Sequence, residues 1–251
     1  LSNEEYQIVF IDTPGIVEPK YLLHQSMMRS VAEGIGDADV ILVLKDATRF
    51  SPDQPVLDPK QIPPALLKDK PAILAINKID LLKQKDELLP QIEFYNKSGQ
   101  FREIIPISAR EKINTERLES TLLSHIPEHE PFFPPDTLSD QQERFFVAEI
   151  IREKIFEMLR EELPYATEVQ IVEFKERGKG KWYVDAEINV ERDTQKGIVI
   201  GAKGAMLKQI GERARKDIER FLDHPVFLSL QVKVTKDWRK SKSDLRQFGY
   251  E

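Results

Sequence analysis

Four short apolar runs, separated by helix-like segments, follow one another through the first half of the chain, at residues 8–11, 40–44, 72–76 and 104–107. Short runs without polar alternation are typical of strands buried on both faces of a parallel sheet. Apolar residues recur every four positions within residues 22–35, which predicts a helix that covers the sheet. Residues 81–95 predict a second helix, which Pro90 weakens. The pattern favours a doubly wound α/β sheet.

The spacing of apolar residues is different in the second half of the chain. Apolar residues recur every four positions from Val147 to Leu163, which predicts a helix that packs on a sheet. Residues 167–175 and 181–191 predict strands, and strict alternation in the second indicates a half-exposed antiparallel hairpin. Next come a helix, a Gly-x-x-Gly loop, a further helix and an alternating strand. This order predicts a separate α+β domain.

A proline-rich stretch divides the two halves, with four prolines within residues 127–135. Such a segment is stiff and extended, and we expect it to be an interdomain linker. Ser139 and Gln142 form a capping-box pair that would start the following helix. We therefore predict a first domain at residues 1–126, a linker at 127–138, a second domain at 139–237 and a basic, aromatic tail at 238–251.

Composition narrows the class of protein. The 251 residues are 40% hydrophobic, which is enough for a sizeable core, and they contain no cysteine, which excludes disulfide and thiolate metal sites. No run approaches the roughly 20 apolar residues that cross a bilayer. The net charge of −6 argues against a uniformly basic nucleic-acid-coating protein but allows local basic patches. We expect a soluble, intracellular protein.

Polar side chains stand at the end of the third apolar run, where an open α/β sheet binds its ligand. A guanine ring needs a carboxylate to accept hydrogen bonds from its N1–H and amino group, and Asp80 supplies one. Asn77 offers an amide that faces the base edge and holds neighbouring backbone. Lys78 can lay its aliphatic stem over the purine. These residues resemble the Asn-Lys-x-Asp motif of P-loop GTPases.

Two other apolar runs end in motifs of the same kind. Asp12 can reach a magnesium-bound water, and the Gly15 amide can approach a phosphate oxygen, as in the Asp-x-x-Gly motif of GTPases. Ser108 and Ala109 resemble the Ser-Ala element that meets the guanine O6. Ile16 stands where many GTPases have a glutamine that orients the attacking water, so we assign it no catalytic role.

The phosphate loop of these enzymes, Gly-x-x-x-x-Gly-Lys-Ser/Thr, does not occur in the 251 residues. In the family this loop precedes the Asp-x-x-Gly strand, and Leu1 lies eleven residues before Asp12. Two interpretations are open: a piece of a longer GTPase, or a chain that has lost nucleotide binding. We expect the first.

The second domain contains a Gly-x-x-Gly loop at residues 201–204, which consists of Gly201, Ala202, Lys203 and Gly204. Its order of helices and strands is the type II KH arrangement, in which this loop lets RNA phosphates approach the backbone and the next helix points N–H groups at them. Lys203 adds a charge, and Lys208 begins a run of cations on that helix. The aromatic and cationic tail could stack on bases or dock back onto the domain.

The whole combination, over residues 8–250, resembles bacterial Era GTPases. The resemblance implies a P-loop GTPase-type sheet, here partial, followed by a type II KH domain. It also implies a GTP-hydrolysing switch that uses GTP, GDP and Mg²⁺, with Asp12 reaching the metal through water. The expected partners are the 3′ region of 16S rRNA and the small ribosomal subunit. We also expect the protein to be monomeric and cytoplasmic, with peripheral association at the inner membrane.

Two alternatives stay open. The chain could be an RNA-binding protein with a non-functional nucleotide fold, or a ribosome assembly GTPase like Der, whose KH-like domain contacts protein.

Overall fold

The computed structural model describes residues 1–3, 5–52, 57–67, 70–134, 143–159, 163, 166–178 and 180–250. Its contacts divide the chain into two compact units. Unit 1 comprises Leu1–Lys20 and His24–Asp136, and unit 2 comprises Tyr21–Leu23 and Thr137–Glu251.

Unit 1 is a three-stranded parallel sheet in the order β1-β2-β3. Every side chain from Ala72 to Ile76 is buried, as expected of a central strand with a neighbour on each side. The apolar-run pattern therefore predicted this strand to within one residue. The strands and helices of unit 1 are α1 (Leu22–Asp37), of which the first two residues are grouped with unit 2, β1 (Ile41–Asp46), α2 (Pro64–Leu67), β2 (Ala72–Asn77), α3 (Leu88–Lys97), β3 (Glu103–Pro106) and α4 (Thr115–Leu123).

The predicted strand at residues 8–11 is wrong. Ile8 is buried and exchanges hydrogen bonds with Leu1, but Val9, Phe10 and Ile11 are about half exposed and have no strand alongside them in the described chain. A cavity of about 420 Å³ separates this segment from the edge of β1. An apolar run indicates a tendency toward burial, whereas a strand exists only where a second backbone pairs with it.

The helix predicted over residues 81–95 begins later than expected. Residues 79–81 and 85–87 are short 3₁₀ turns, and α3 starts at Leu88. Pro90 is the third residue of α3, a position whose N–H would have no intrahelical partner. The proline therefore marks the first turn of the helix and does not interrupt it.

Unit 2 packs three helices on one face of a sheet with the order β4-β5-β6. β4 and β5 are antiparallel, with a bulge between Ile171 and Glu173, and β5 and β6 are parallel. Val184, Ala186 and Ile188 are fully buried beneath the helices. The elements are α5 (Glu143–Met158), β4 (Glu168–Lys175), β5 (Trp182–Val190), α6 (Asp193–Ile200), α7 (Ala205–Leu222), β6 (Val226–Val234) and α8 (Lys242–Gln247).

The tail docks back onto unit 2. Trp238 is almost completely buried and its indole N–H donates to the Ala166 carbonyl at 3.3 Å. Leu245 on α8 is also buried, and the Tyr250 hydroxyl donates to Glu168 at 2.6 Å. Of the two roles that the sequence left open, the structure therefore supports docking for these residues.

Some sequence predictions fall outside the described residues. These are the capping pair Ser139 and Gln142, the last residues of the predicted linker at 135–138, and the end of the helical repeat at residues 160–162. Along the parts that are described, no helix has the length and apolar character needed to traverse a bilayer.

Candidate functional site

Asn77 is the last residue of β2, and its side chain holds together the two loops beyond the sheet. Its Oδ1 accepts hydrogen bonds from the Lys78 amide at 2.8 Å and from the Ala109 amide at 3.0 Å. The backbones meet as well, because the Ile79 amide donates to the Ile107 carbonyl at 3.3 Å. The sequence motifs predict that Asn77 and Ala109 belong to one site, and in the structure the two residues are in contact.

Lys78 follows in the left-handed conformation, with φ of 67°. Its ammonium lies 2.8 Å from Asp46 Oδ2 at the end of β1. The other Asp46 oxygen accepts bonds from the Thr48 amide and hydroxyl. These contacts, the Lys78 hydrogen bond first, lower the pKa of Asp46 from 3.8 to about 2. Asp46 thus positions Lys78, a role that sequence reasoning missed.

Asp80 lies exposed in the turn after Lys78, and its carboxylate has no hydrogen bond or ion pair to another described residue. Ser108, in contrast, is buried, with its backbone paired to Ile113 and its Oγ accepting from the Glu111 amide at 3.1 Å. The arrangement therefore presents an unengaged carboxylate beside a loop whose geometry is fixed by its own hydrogen bonds.

Asp12 and Gly15 lie in an exposed segment outside any helix or strand, and among the described residues no hydrogen bond or ion pair connects either to Asn77, Asp80 or Ser108. The segment rests on α1 at Gly34, where an added Cβ would lie 2.8 Å from the Thr13 methyl group. Gly34 thus permits the close approach of this segment to the helix. Sequence reasoning missed that role, although a glycine inside a helical pattern is a recognisable signal.

The Gly-x-x-Gly loop joins α6 to α7 as predicted. Gly201 has φ of 71° and ψ of 177°, and a Cβ there would lie 2.7 Å from Met206 Cβ and 2.9 Å from the Met206 nitrogen. Gly204 has φ of 80°, and Lys203 between them has φ of 50°. Ala202 and Lys203 are exposed. The loop is therefore a tight turn that leaves the backbone ahead of α7 open to a ligand.

The cations of α7 differ in how they are paired. Arg215 binds Glu219 through two contacts of 2.9 and 3.1 Å, whereas Lys208 is largely exposed and 3.9 Å from Glu212. Arg213 and Lys216 are exposed and have no ion pair among the described residues. On α6, Ile198 is more than half exposed three residues before the loop, an apolar surface that the sequence reasoning missed.

The described residues contain no group of three or more acidic or histidine side chains arranged to hold a metal ion. The exposed Asp12 carboxylate could instead accept a hydrogen bond from a metal-bound water. Mg²⁺ commonly binds through one or two carboxylates, retained waters and ligand phosphates. The Asp12 carboxylate therefore suits a Mg²⁺ ion that is held partly by a nucleotide, and not one that is enclosed by protein ligands alone.

Comparison with known proteins gives the family. GTPase Era of Geotalea daltonii is 46% identical over 98% of this chain and 81% of its own length. The chain belongs to the Era GTPase family. GTPase Era of Trichlorobacter lovleyi is 42% identical over the entire chain and 83% of its own length. A model described as KH domain matches residues 162–239, and one described as ethanolamine utilisation and propanediol utilisation matches residues 3–124.

Solved Era structures agree with the fold. A point variant of Aquifex aeolicus Era bound to GDP and AlF4⁻ has a TM-score of 0.90 and 41% identity, covering 99% of this chain and 83% of that one. Era in complex with MgGDPNP and nucleotides 1506–1542 of 16S ribosomal RNA has a TM-score of 0.87 and 41% identity, covering 95% and 80%. The predicted family and fold class are confirmed, as are GTP hydrolysis with GTP or GDP and Mg²⁺ as the family's chemistry.

Proposed function

We propose that this protein is a guanine-nucleotide switch that binds 16S rRNA through its KH domain and assists assembly of the small ribosomal subunit. One observation carries the nucleotide half of the proposal. Asn77 ties the β2 turn to the Ser108–Ala109 loop and leaves the Asp80 carboxylate without a partner among the described residues. A structural turn alone has no need of such a carboxylate beside a preorganised loop.

In the proposed site, Asp80 accepts hydrogen bonds from the guanine N1–H and amino group. The Ala109 loop, held by Asn77, presents a backbone N–H to the guanine O6. The buried Ser108 stabilises this loop through its hydrogen bond with the Glu111 amide. Lys78 covers one face of the base, since Asp46 fixes its ammonium while the side chain stays half exposed. Adenine offers an acceptor where Asp80 also accepts, so it is rejected.

Asp12 and Gly15 serve the other end of the nucleotide. Mg²⁺, when bound, neutralises charge on the phosphates, and Asp12 would hold it through a water. The Gly15 amide would donate to the γ-phosphate, and loss of that contact on hydrolysis would release the segment after it. The close packing of Thr13 on Gly34 gives this segment a defined starting position.

RNA binding rests on the loop at residues 201–204. Its glycines allow phosphates close to the backbone, the first turn of α7 supplies N–H groups, and Lys203 and Lys208 add positive charge. The solved relative that holds nucleotides 1506–1542 of 16S ribosomal RNA supports this choice of ligand. We propose the corresponding RNA region for this protein, as a monomer on the small subunit. Association with the inner membrane stays a prediction.

The nucleotide proposal is tested by competition binding of GTP and XTP to the native protein and to Asp80→Asn. An amide at this position donates where the carboxylate accepts, so preference should shift from GTP toward XTP by about 100-fold or more. Affinity is compared between nucleotides on the same protein. An unchanged preference, or no nucleotide binding by the native protein, would favour the alternative of an RNA-binding protein with a non-functional nucleotide fold.

The RNA proposal is tested with the double variant Ala202→Asp, Lys203→Asp. Two carboxylates in the loop should repel phosphate and lower affinity for the RNA numbered 1506–1542 by at least tenfold, without altering nucleotide preference. The double variant Lys97→Asp, Gln100→Asp, at two exposed positions in unit 1, changes the net charge by the same amount and is the matched charge control. Equal RNA affinity in the double variant and the wild type would instead support a Der-like protein-contact role for this domain.

A further inference from the structure

The hairpin between β4 and β5 carries an aromatic surface on the sheet face that the helices leave uncovered. Tyr183 on β5 lies opposite Phe227 on β6, and their rings are nearly parallel, 5.8 Å apart at an angle of 9°. Phe227 is 55% exposed, although the neighbouring Val226 and Val184 are completely buried. Two stacked rings are therefore presented to solvent at one end of this sheet.

One cation lies over the Tyr183 ring, and further cations are close to it in the sequence. The Arg177 guanidinium lies 5.7 Å from the centre of the Tyr183 ring, and Lys175 pairs with Tyr183 across the hairpin. Residues 175–183 contain four Lys or Arg and one Glu, in a chain whose net charge is −6. The Lys175 ammonium also contacts Glu173 at 2.5 Å, which ties it to the end of the strand. We call Arg177, Tyr183 and Phe227 the hairpin platform.

The platform lies at the opposite end of α7 from the Gly-x-x-Gly loop. The Trp182 amide donates to the Pro225 carbonyl at 2.9 Å, and the Trp182 ring stacks on His224 at 4.7 Å, just beyond the C-terminus of α7. The loop precedes the N-terminus of this helix, whose 18 residues span about 27 Å. A KH loop clamps about four nucleotides, so an RNA that meets both places must be longer.

We propose that the hairpin platform stacks unpaired bases of an RNA strand that continues past the KH loop. The proposal deepens the RNA-binding function proposed above and rests on it. Stacked rings interleaved with cations are the combination that holds single-stranded nucleic acid, because rings stack on bases of any sequence and cations neutralise phosphates. Asp185 and Glu187 follow on the same sheet face and confine the favourable surface to the end of the sheet.

The experiment compares long and short RNAs on Phe227→Ala. The probes are the RNA numbered 1506–1542 and a set of pentamers tiling it, of which the tightest binder reports the KH loop alone. Loss of one stacking partner should weaken binding of the long RNA about 5- to 150-fold and change the pentamer affinity less than about twofold. Val172→Ala, an equally exposed apolar residue on β4, is the control and should change neither.

Further variants separate stacking from folding. Tyr183→Phe keeps the ring and should keep wild-type affinity, whereas Arg177→Ala should weaken only the long RNA. Thermal unfolding of unit 2, followed by the combined fluorescence of Trp182 and the buried Trp238, should have the wild-type midpoint in each variant. If the wild type binds neither RNA, the proposed RNA-binding function fails. If it binds both but Phe227→Ala retains full affinity for the long RNA, the platform proposal fails, and a protein contact becomes the better interpretation of the exposed rings.

Discussion

Replacing Asn77 by alanine should loosen the candidate base site without any ligand present. The Asn77 carboxamide oxygen accepts from two backbone amides, of Lys78 at 2.8 Å and of Ala109 at 3.0 Å. Each such bond contributes about 0.5–1.5 kcal/mol net, and both are exposed, so water can replace the lost acceptor. Two such bonds together contribute about 1–3 kcal/mol. Because water can replace the acceptor, we expect the lower part of this range, a loss of about 1–2 kcal/mol in the stability of this part of unit 1.

Hydrogen exchange is the suitable assay, because both tryptophans, Trp182 and Trp238, belong to unit 2 and fluorescence would not report on unit 1. The Ala109 amide should exchange about 5- to 30-fold faster in Asn77→Ala. Asp80→Asn is the matched control, since Asp80 has no partner among the described residues, and its exchange pattern should match that of the wild type. Unchanged exchange at Ala109 in the alanine variant would refute the proposed role of Asn77.

Three further predictions concern other contacts. The Lys70 ammonium donates to three carbonyls at the C-terminal end of α1, at 2.7, 2.5 and 2.7 Å, so Lys70→Met should cost about 1.5–3 kcal/mol, measured by hydrogen exchange in that helix. Because the pKa of Asp46 is lowered, its contact with Lys78 stabilises the fold above pH 3.8, and this stabilisation is lost as the pH falls through about 2. Lys78 is half exposed, so the contribution to the free energy of unfolding is about 1 kcal/mol. In Asp46→Asn, the free energy of unfolding measured against pH should lack this acid-dependent loss. Gly201→Ala should distort the loop against Met206 and reduce RNA binding, while RNA affinity equal to wild type would show that the loop relaxes at no cost.

The central strand and the Gly-x-x-Gly loop were predictable from sequence for different physical reasons. A run of five apolar residues followed by polar ones is typical of a short strand buried on both faces, and β2 is that strand. In the loop, glycine spacing reports backbone conformation directly, since Gly201 and Gly204 both have positive φ. Patterns that constrain the backbone locally are therefore readable from a single sequence.

Long-range pairing was not readable in the same way. Residues 8–11 have the composition of a strand, yet within the described chain only Ile8 pairs with another backbone, that of Leu1, and composition cannot reveal whether a partner strand exists. No sequence motif singles out Asp46, because its contact with Lys78 joins residues 32 apart in sequence. Only the parallel register, which sets Asp46 opposite Asn77, brings the two together.

That register also explains why the candidate base site needs so few residues of its own. Because β1, β2 and β3 run parallel, their C-terminal ends fall at one edge, and each contributes one element there: Asp46 from β1, Asn77 from β2, and the Ser108–Ala109 loop beyond β3. Asp46 holds the Lys78 ammonium and Asn77 holds the Ser108–Ala109 loop, and the turn after β2 carries the exposed Asp80. Specificity can therefore reside in one carboxylate, because the sheet and the contacts of Asn77 and Asp46 have already fixed the groups around it.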